Sequence, residues 1–263
     1  MDLLRRIKMT TETIVVNMLV FDELVKEGKR QLDFFEGLSQ LAIKKIEIRR
    51  DYIKEESEFK DLNEAAKKYG FELLYSVPEL LYTDQMMTET ELRLYAKEAY
   101  ALGAKHLKFG AGYVKEVSTE DVVILNNVLN EYEINHFMIE NGQESYSTAD
   151  KLNQISIQLI EKGAAVSLTF DTGNFMYVHE DPVKNAKLLK TNVTYVHLKD
   201  IKAGTLEMTL LNEGDISIAE VLKAFPSDIN TAIEYPCGHD PLDVLKKEID
   251  KLTAIKEAIE KLR

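Results

Sequence analysis

The strongest constraint on the fold is a regular alternation of short, β-branched apolar runs with longer segments of helical periodicity. Eight of the short runs have the length and composition of strands and cover residues 14–19, 44–49, 72–77, 106–109, 135–140, 166–170, 194–198 and 230–234. A helical segment follows each of them, at residues 31–42, 57–69, 88–102, 118–132, 148–162, 182–190, 217–225 and 241–262. Eight strand–helix units in one chain of this length indicate an α/β fold, the parallel (β/α)8 TIM barrel.

A doubly wound open sheet shows the same alternation, because periodicity does not reveal whether a sheet closes on itself. We favour the barrel, since eight units match its repeat number. The chain of 263 residues contains no low-complexity linker that would separate two domains. The sequence therefore predicts a single TIM-barrel domain over residues 1–263.

Charge and cysteine content narrow the choice of partner. Lysine and arginine number 33 against 45 aspartate and glutamate residues, so the net charge is −12, which opposes binding to nucleic acid and anionic membranes. Cys237 is the single cysteine, so the chain forms neither an internal disulfide nor a cysteine-rich zinc cluster. The apolar stretch at residues 14–21 is too short for a membrane span and lacks a signal cleavage site. We expect a cytoplasmic protein that acts on a small molecule, without a nucleic acid or membrane partner.

Side chains of the metal-ligand type stand at the ends of four consecutive predicted strands, the fifth to the eighth. They are Glu140, Asp171, His197 and Glu234. In a parallel barrel, the carboxyl ends of the strands meet at one mouth, so these four side chains converge there. Three carboxylates in one buried place repel one another, and a divalent cation is the usual means of neutralising them. The pattern predicts a metal site at the mouth of the barrel.

Several motifs around these residues also resemble a known family. They are Asp171-Thr172-Gly173-Asn174, Asp181-Pro182, Val196-His197-Leu198-Lys199-Asp200, Glu213-Gly214-Asp215-Ile216 and Ile233-Glu234-Tyr235-Pro236. With them, the chain resembles the xylose isomerase-like sugar phosphate isomerase/epimerase family over residues 12–262. The resemblance implies a TIM barrel with one divalent metal, commonly manganese, bound by Glu140, Asp171, His197 and Glu234. Such a donor set also suits Co²⁺, Mg²⁺ or Zn²⁺.

The resemblance further implies a reaction. The substrate is a sugar or sugar phosphate, and a proton moves between carbons beside a carbonyl group through an enediolate. Glu140 and Glu234 are the expected acid/base pair, with either role open to either residue. The metal holds substrate oxygens as a Lewis acid. The resemblance also implies an assembly of two or four copies of the chain.

Further residues are expected to bind the substrate. Many members of the family carry histidine three residues after the strand-six aspartate, where it touches substrate, and this chain has Asn174 there. Lys199, Lys108 and Arg49 follow or end predicted strands and can bind a phosphate or carboxylate group. Glu47 shares a strand face with Arg49, so the two residues either form an ion pair inside the barrel or contact the substrate.

Three other functions remain open at this stage. A dehydratase or lyase uses the same metal and base but expels a hydroxyl group after proton abstraction. An endonuclease IV-like hydrolase shares the barrel, although Asn174 and the net charge of −12 oppose it. A non-catalytic barrel that binds a metal and a polyol does not need two glutamates on non-adjacent strands.

Overall fold

The structure is a computed structural model that describes residues 11–263. Eight strands form its centre: β1 (Ile14–Asn17), β2 (Lys45–Arg49), β3 (Glu72–Thr83), β4 (His106–Gly112), β5 (His136–Glu140), β6 (Val166–Asp171), β7 (Val193–Leu198) and β8 (Asn230–Ile233). Each strand pairs in parallel with the next one along the chain, and β8 pairs in parallel with β1. The sheet therefore closes on itself. This closure confirms the (β/α)8 TIM barrel and excludes the open doubly wound sheet.

Helices surround the barrel: α1 (Asp22–Lys26), α2 (Phe35–Leu38), α3 (Ser57–Tyr69), α4 (Glu89–Leu102), α5 (Thr119–Glu131), α6 (Ala149–Glu161), α7 (Asn174–Tyr177), α8 (Pro182–Leu189), α9 (Ile218–Leu222) and α10 (Pro241–Lys261). The first predicted helix, at residues 31–42, is wrong in form, because a 3₁₀ turn at Gln31–Phe34 precedes the short helix α2. Within residues 11–263, we find no helix that is both long and apolar enough to cross a membrane.

Local sequence signals explain where several helices begin and end. Ser118 precedes α5, and its hydroxyl accepts a hydrogen bond from the Asp121 N–H at 3.0 Å. The Asp121 carboxylate accepts one from the Ser118 N–H in return, so two free N–H groups of the first turn are satisfied. Gly70 and Gly103 end α3 and α4 with φ angles of 73° and 76°, a region that disfavours residues with a Cβ atom.

A small apolar cluster fills the middle of the barrel. Its members point inward from five strands and are Val15, Leu74, Met138, Tyr195 and Ala232. Because alternate residues of a strand share one face, the next inward positions toward the carboxyl ends of β5, β7 and β8 are Glu140, His197 and Glu234. The apolar cluster thus lies one layer below the polar residues of the mouth.

Two strand extensions shape the rim of the mouth. β3 continues to Thr83, beyond its predicted end at residue 77, and turns back into a two-residue strand at Met86–Met87. The turn residues Asp84 and Gln85 both have positive φ angles, at 51° and 68°. Directly after β7, the segments Asp200–Lys202 and Glu207–Thr209 pair as an antiparallel ribbon. Both extensions follow the carboxyl ends of their strands.

A cavity of about 430 Å³ lies at the opposite end of the barrel, where the strands begin. It is lined by the first residues of β3, β4 and β5, among them Glu72, His106 and His136. The two histidine rings are stacked with their centroids 4.3 Å apart, and His106 Nε2 lies 3.2 Å from a Glu72 carboxylate oxygen. These histidines are therefore remote from the residues of the mouth.

Candidate metal centre

The structure brings the four predicted ligands together at the mouth. Glu140 and Asp171 end β5 and β6, His197 lies one residue before the end of β7, and Glu234 directly follows β8. Each offers one ligand atom, and these four atoms all lie within 4.8 Å of one another. All four side chains are buried. The convergence of Glu140, Asp171, His197 and Glu234 agrees with the prediction from the strand ends.

His197 stands at the centre of the cluster. Its Nδ1 atom lies 2.5 Å from Glu140 Oε1 and 2.7 Å from Glu234 Oε2. None of these three buried atoms has a partner with the geometry of a hydrogen bond. Buried polar atoms without hydrogen bonds are rare, and an absent ion is one of the few reasons for them. The three atoms face one another as ligands around a shared cation do.

The second oxygen of each glutamate is held by a partner on the side away from His197 Nδ1. Lys108 Nζ donates to Glu140 Oε2 at 2.6 Å. Arg49 Nη1 and Asn17 Nδ2 donate to Glu234 Oε1 at 3.1 Å and 3.3 Å. These contacts fix the outer oxygens and leave Glu140 Oε1 and Glu234 Oε2 directed at the common centre.

The two carboxylate oxygens of Asp171 also have different surroundings, as those of the two glutamates do. Its Oδ1 atom accepts hydrogen bonds from the N–H groups of Gly173 and Asn174, each at 2.9 Å. The Asn141 side chain exchanges two hydrogen bonds with the Asp171 backbone, at 2.9 Å and 3.0 Å, which holds the residue at the end of β6. Only Asp171 Oδ2 remains for a ligand, and it lies 2.6 Å from Lys199 Nζ.

The direction and the chemistry of the four side chains decide whether the cluster fits a divalent cation. One atom of each ligand faces the centre, and a protein partner holds the other polar atom of each, with Glu47 taking the far nitrogen of His197. Three carboxylate oxygens and one imidazole nitrogen form a donor set that suits Mn²⁺, Co²⁺, Mg²⁺ or Zn²⁺. The cluster therefore fits a divalent metal.

Burial and neighbouring charges determine the ionisation of the cluster. Burial opposes the charged form of Glu140, but Lys108 and His197 outweigh it and lower the pKa of this carboxyl to about 2. Burial raises the pKa of Asp171 to about 6, and Lys199 only partly offsets the effect. Burial also opposes the charged form of His197, yet Glu234, Glu47 and Glu140 together raise its pKa well above the ordinary value. Asp171 is thus the more easily protonated of the two carboxyls.

The residues predicted to bind substrate lie around the cluster in different settings. Lys108 and Lys199 are buried and contact ligand carboxylates directly. The Asn174 side chain is occupied by neighbours, since it donates to the Asn141 carbonyl oxygen at 2.8 Å and accepts from Gln143 at 3.0 Å.

Glu47 and Arg49, the two predicted site residues on β2, contact different partners. Arg49 pairs with Glu234 at 3.1 Å and with Asp51 at 3.0 Å. Glu47 is fully buried and contacts His197 and Tyr195. The expected ion pair between Glu47 and Arg49 is therefore wrong, because the Arg49 guanidinium pairs with Glu234 and Asp51 while the Glu47 carboxylate contacts His197 and Tyr195.

Three site residues were missed from the sequence: Asn17, Asn141 and Tyr195. Asn17 ends β1, so the rule that singled out polar residues at strand ends also applied to it. Asn141 directly follows β5, so the same rule applied to it as well. Tyr195 gave no signal, because a tyrosine inside a strand is ordinarily part of the core.

The motif at residues 213–216 has a structural explanation. Asp200 is fully buried, and its carboxylate accepts hydrogen bonds from the N–H groups of Gly214 at 3.0 Å and Ile216 at 3.1 Å. A Cβ atom on Gly214 would lie 2.3 Å from the Asp200 carboxylate, so this position requires glycine. Asp200 thereby ties residues 213–216 to the end of β7, beside the ligand cluster.

Comparisons with known proteins place this geometry in context. Neither a known protein family nor a curated protein matches the chain. Among solved structures, a D-tagatose 3-epimerase-like protein is 19% identical, with 95% of this chain and 99% of that chain covered and a TM-score of 0.66. The probable 3-DHS dehydratase AsbF of Bacillus anthracis is 16% identical, with 91% and 98% covered and a TM-score of 0.68.

Two further likenesses concern the metal and the fold. The IolI protein, whose crystal structure has a bound zinc atom, is 15% identical, with 94% and 97% of the chains covered and a TM-score of 0.65. A xylose isomerase domain protein from Planctomyces limnophilus matches 94% of this chain with a TM-score of 0.64. At these identities, the likeness establishes the fold. The resemblance to xylose isomerase-like TIM barrels is confirmed at that level.

Proposed function

We propose that this chain is a divalent-metal-dependent isomerase or epimerase that acts on a small sugar or sugar phosphate in the cytoplasm. The observation that carries the proposal is the set of four ligand atoms around one point, three of them without a hydrogen-bond partner. Among the solved structures of the same fold, one is a D-tagatose 3-epimerase-like protein. An epimerase of this kind needs a metal and two bases, and the cluster can supply both.

We propose that Glu140, Asp171, His197 and Glu234 hold the metal, with Mn²⁺ as the first choice and Co²⁺, Mg²⁺ or Zn²⁺ as alternatives. When bound, the metal supplies Lewis-acid stabilisation of the negative charge that develops on the substrate oxygen. Asp171 and His197 act only as ligands. Glu140 and Glu234 also transfer protons.

Glu140 and Glu234 are the proposed acid/base pair. They come from β5 and β8, which are not adjacent, and they flank His197 Nδ1 at 2.5 Å and 2.7 Å. A substrate between them would present opposite sides to the two carboxylates, so one can remove a proton beside the carbonyl and the other can return one. Lys108 and Arg49 donate hydrogen bonds to their outer oxygens and so fix the orientation of both carboxylates.

Substrate contacts are proposed for Lys199, Lys108, Arg49, Asn174 and Glu47. Lys199 and Arg49 have the easiest access to the mouth, since 11% and 19% of their side chains are exposed. Both can bind a phosphate or carboxylate group on the substrate. Because Glu47 is fully buried beneath His197, we propose that it influences the substrate through His197.

A dehydratase is the second candidate. The observation in its favour is the shared fold with the probable 3-DHS dehydratase AsbF. The same glutamates would remove a proton beside a carbonyl, and the neighbouring hydroxyl would leave as water after protonation. The product is unsaturated and one water lighter than the substrate, whereas an isomerase or epimerase conserves the mass.

A screen in D₂O separates these functions. Ketoses, ketose phosphates and hydroxy-carbonyl acids are incubated with protein loaded with Mn²⁺ or Co²⁺, and the products are followed by proton NMR and mass spectrometry. An epimerase or isomerase conserves the substrate's mass apart from deuterium at the reacting carbon, and a dehydratase produces vinyl signals. We expect Glu234→Gln to lower turnover by about 10²- to 10⁴-fold.

Glu213→Gln is the matched control, because Glu213 is an exposed carboxylate that pairs with Lys251 at the protein surface. It should retain wild-type turnover. Turnover by Glu234→Gln at the wild-type rate would contradict the assignment of the acid/base pair. A wild-type protein that binds a sugar but catalyses neither deuterium exchange nor product formation would point to a binding protein.

A further inference from the structure

Lys199 occupies a different position in the cluster from the other cations. Its Nζ atom lies 2.6 Å from Asp171 Oδ2 and 3.1 Å from Glu234 Oε2. These are two of the four atoms that face the common centre. Lys108, in contrast, contacts Glu140 through the outer oxygen Oε2. Lys108 can therefore stay in place when a cation binds, whereas Lys199 holds oxygens that the cation needs.

The backbone of Lys199 is fixed, so only its side chain can move. The Lys199 N–H donates to Thr172 Oγ1 at 2.9 Å, and the same hydroxyl donates to the Lys199 carbonyl oxygen at 2.8 Å. Gly173 packs directly against the lysine, because a Cβ atom there would lie 2.6 Å from Lys199 Cβ. The aliphatic stem thus begins at a rigid point, and 11% of the side chain is accessible to solvent.

Elementary electrostatics makes the two cations competitors. An ammonium group in contact with Asp171 Oδ2 and Glu234 Oε2 already neutralises charge that would otherwise attract a metal. Because the ammonium and a divalent ion repel each other in a buried site, they cannot both stay on these two oxygens. Occupation by one requires departure of the other.

We propose that Lys199 is a displaceable internal cation that sets the affinity of the cluster for divalent metals. In the metal-free protein, it compensates the charges of Asp171 and Glu234 and so keeps the cluster assembled. When a metal binds, the ammonium leaves both oxygens and turns toward the mouth, where a substrate can meet it. This inference rests on the metal centre of the proposed function and adds a residue that regulates it.

Isothermal titration of metal-free protein with Co²⁺ tests the proposal. We expect Lys199→Met, which keeps the length of the side chain without its charge, to bind Co²⁺ at least about tenfold more tightly than wild type. Lys108→Met should bind no more tightly than wild type, since Lys108 holds an outer oxygen. Lys246→Met, a change at an exposed position on α10, should leave the affinity unchanged. Unchanged or weaker binding by Lys199→Met would overturn the proposal.

A second measurement uses the wild-type protein and so does not depend on how the variant folds. The rate of acetylation of individual lysines is followed by mass spectrometry with and without saturating Co²⁺. Lys199 should react several-fold faster when Co²⁺ is present, while Lys108 and Lys246 should not. A Lys199 rate that Co²⁺ leaves unchanged overturns the displacement. Failure of the wild type to bind Co²⁺ overturns the proposed function itself, so the two failures are distinguishable.

Discussion

Glu47 Oε2 lies 2.9 Å from His197 Nε2, and both side chains are fully buried. The Tyr195 hydroxyl donates to the same carboxylate oxygen at 2.5 Å. With Nε2 directed at Glu47, the ring presents Nδ1 to Glu140 and Glu234. A carboxylate behind a ligand histidine fixes the orientation of the ring and increases the basicity of its free nitrogen. We therefore expect Glu47 to act as a positioning residue for the proposed metal centre.

Replacing Glu47 tests this arrangement. We expect Glu47→Gln to weaken Co²⁺ binding by about 10- to 100-fold, because the ring loses the negative charge behind it although every proposed ligand remains. Isothermal titration measures the change. Tyr195→Phe is the control, since it removes one hydrogen bond to Glu47 and keeps the charge. Wild-type affinity in Glu47→Gln would show that the carboxylate does not support the site.

Lys108 is expected to stabilise the metal-free protein. Lys108→Met leaves Glu140 Oε2 in a buried place without its cation, and breaking a buried ion pair from one side costs about 3–5 kcal/mol. Urea unfolding of the metal-free protein measures the loss. Added Co²⁺ should raise the unfolding free energy of wild type and of Lys108→Met alike, because a ligand that binds only the folded state stabilises that state. Equal unfolding free energies for Lys108→Met and Lys246→Met would argue against this role.

Asp200 should stabilise the loop at residues 213–216. Asp200→Asn exchanges one accepting oxygen for an N–H₂ group that faces backbone donors, and an unsatisfied buried group costs about 1–3 kcal/mol. We expect a lower unfolding free energy and faster hydrogen exchange at residues 213–216. Asp215→Asn is the control, because Asp215 accepts a single exposed hydrogen bond from the Ala203 N–H. An equal loss in both variants would contradict the special role of Asp200.

Lys256, at the other end of the barrel, should make the unfolding free energy of the protein depend on pH. Burial lowers the pKa of this lysine to about 8, and its Nζ atom donates to Thr13, Thr231 and the Ile229 carbonyl oxygen. Between that value and the ordinary pKa of 10.5, the unfolded chain holds a proton that the folded chain has lost. The unfolding free energy contributed by Lys256 therefore rises with pH across this window.

The magnitude follows from the size of the shift. From pH about 8 to about 10.5, the unfolding free energy of wild type should increase by about 3 kcal/mol relative to Lys256→Met. Urea unfolding of both proteins across this range provides the test. A difference that stays constant or falls with rising pH would mean that Lys256 is charged in the folded protein throughout.

Much of the fold could be predicted because its signals are local. The eight strand positions follow from apolar runs, and the barrel strands begin within one residue of their predicted starts. The extension of β3 could not be predicted, because the turn at Asp84 and Gln85 places a glutamine at a positive φ angle, which few glutamines adopt. The helix predicted at residues 31–42 failed because a 3₁₀ turn shows nearly the same apolar spacing as an α-helix.

The candidate site, too, could be predicted from the sequence only in part. Polar residues at strand ends identified Glu140, Asp171, His197 and Glu234, since closure of a parallel sheet brings strand ends together whatever the loops do. The contacts of these four side chains with other residues depend on side-chain direction across the barrel. The Glu47 carboxylate contacts His197 on another strand of the barrel rather than Arg49 on its own strand, and no local sequence pattern records that contact.

The proposed function requires one divalent metal at Glu140, Asp171, His197 and Glu234. The most direct test is elemental analysis of the protein purified without added metal, followed by titration with Mn²⁺ and Co²⁺. We predict about one ion per chain in wild type and in Glu213→Gln, and loss of that ion in Glu140→Gln and Asp171→Asn. A wild-type protein that contains no metal and takes up neither ion would contradict the proposed metal centre.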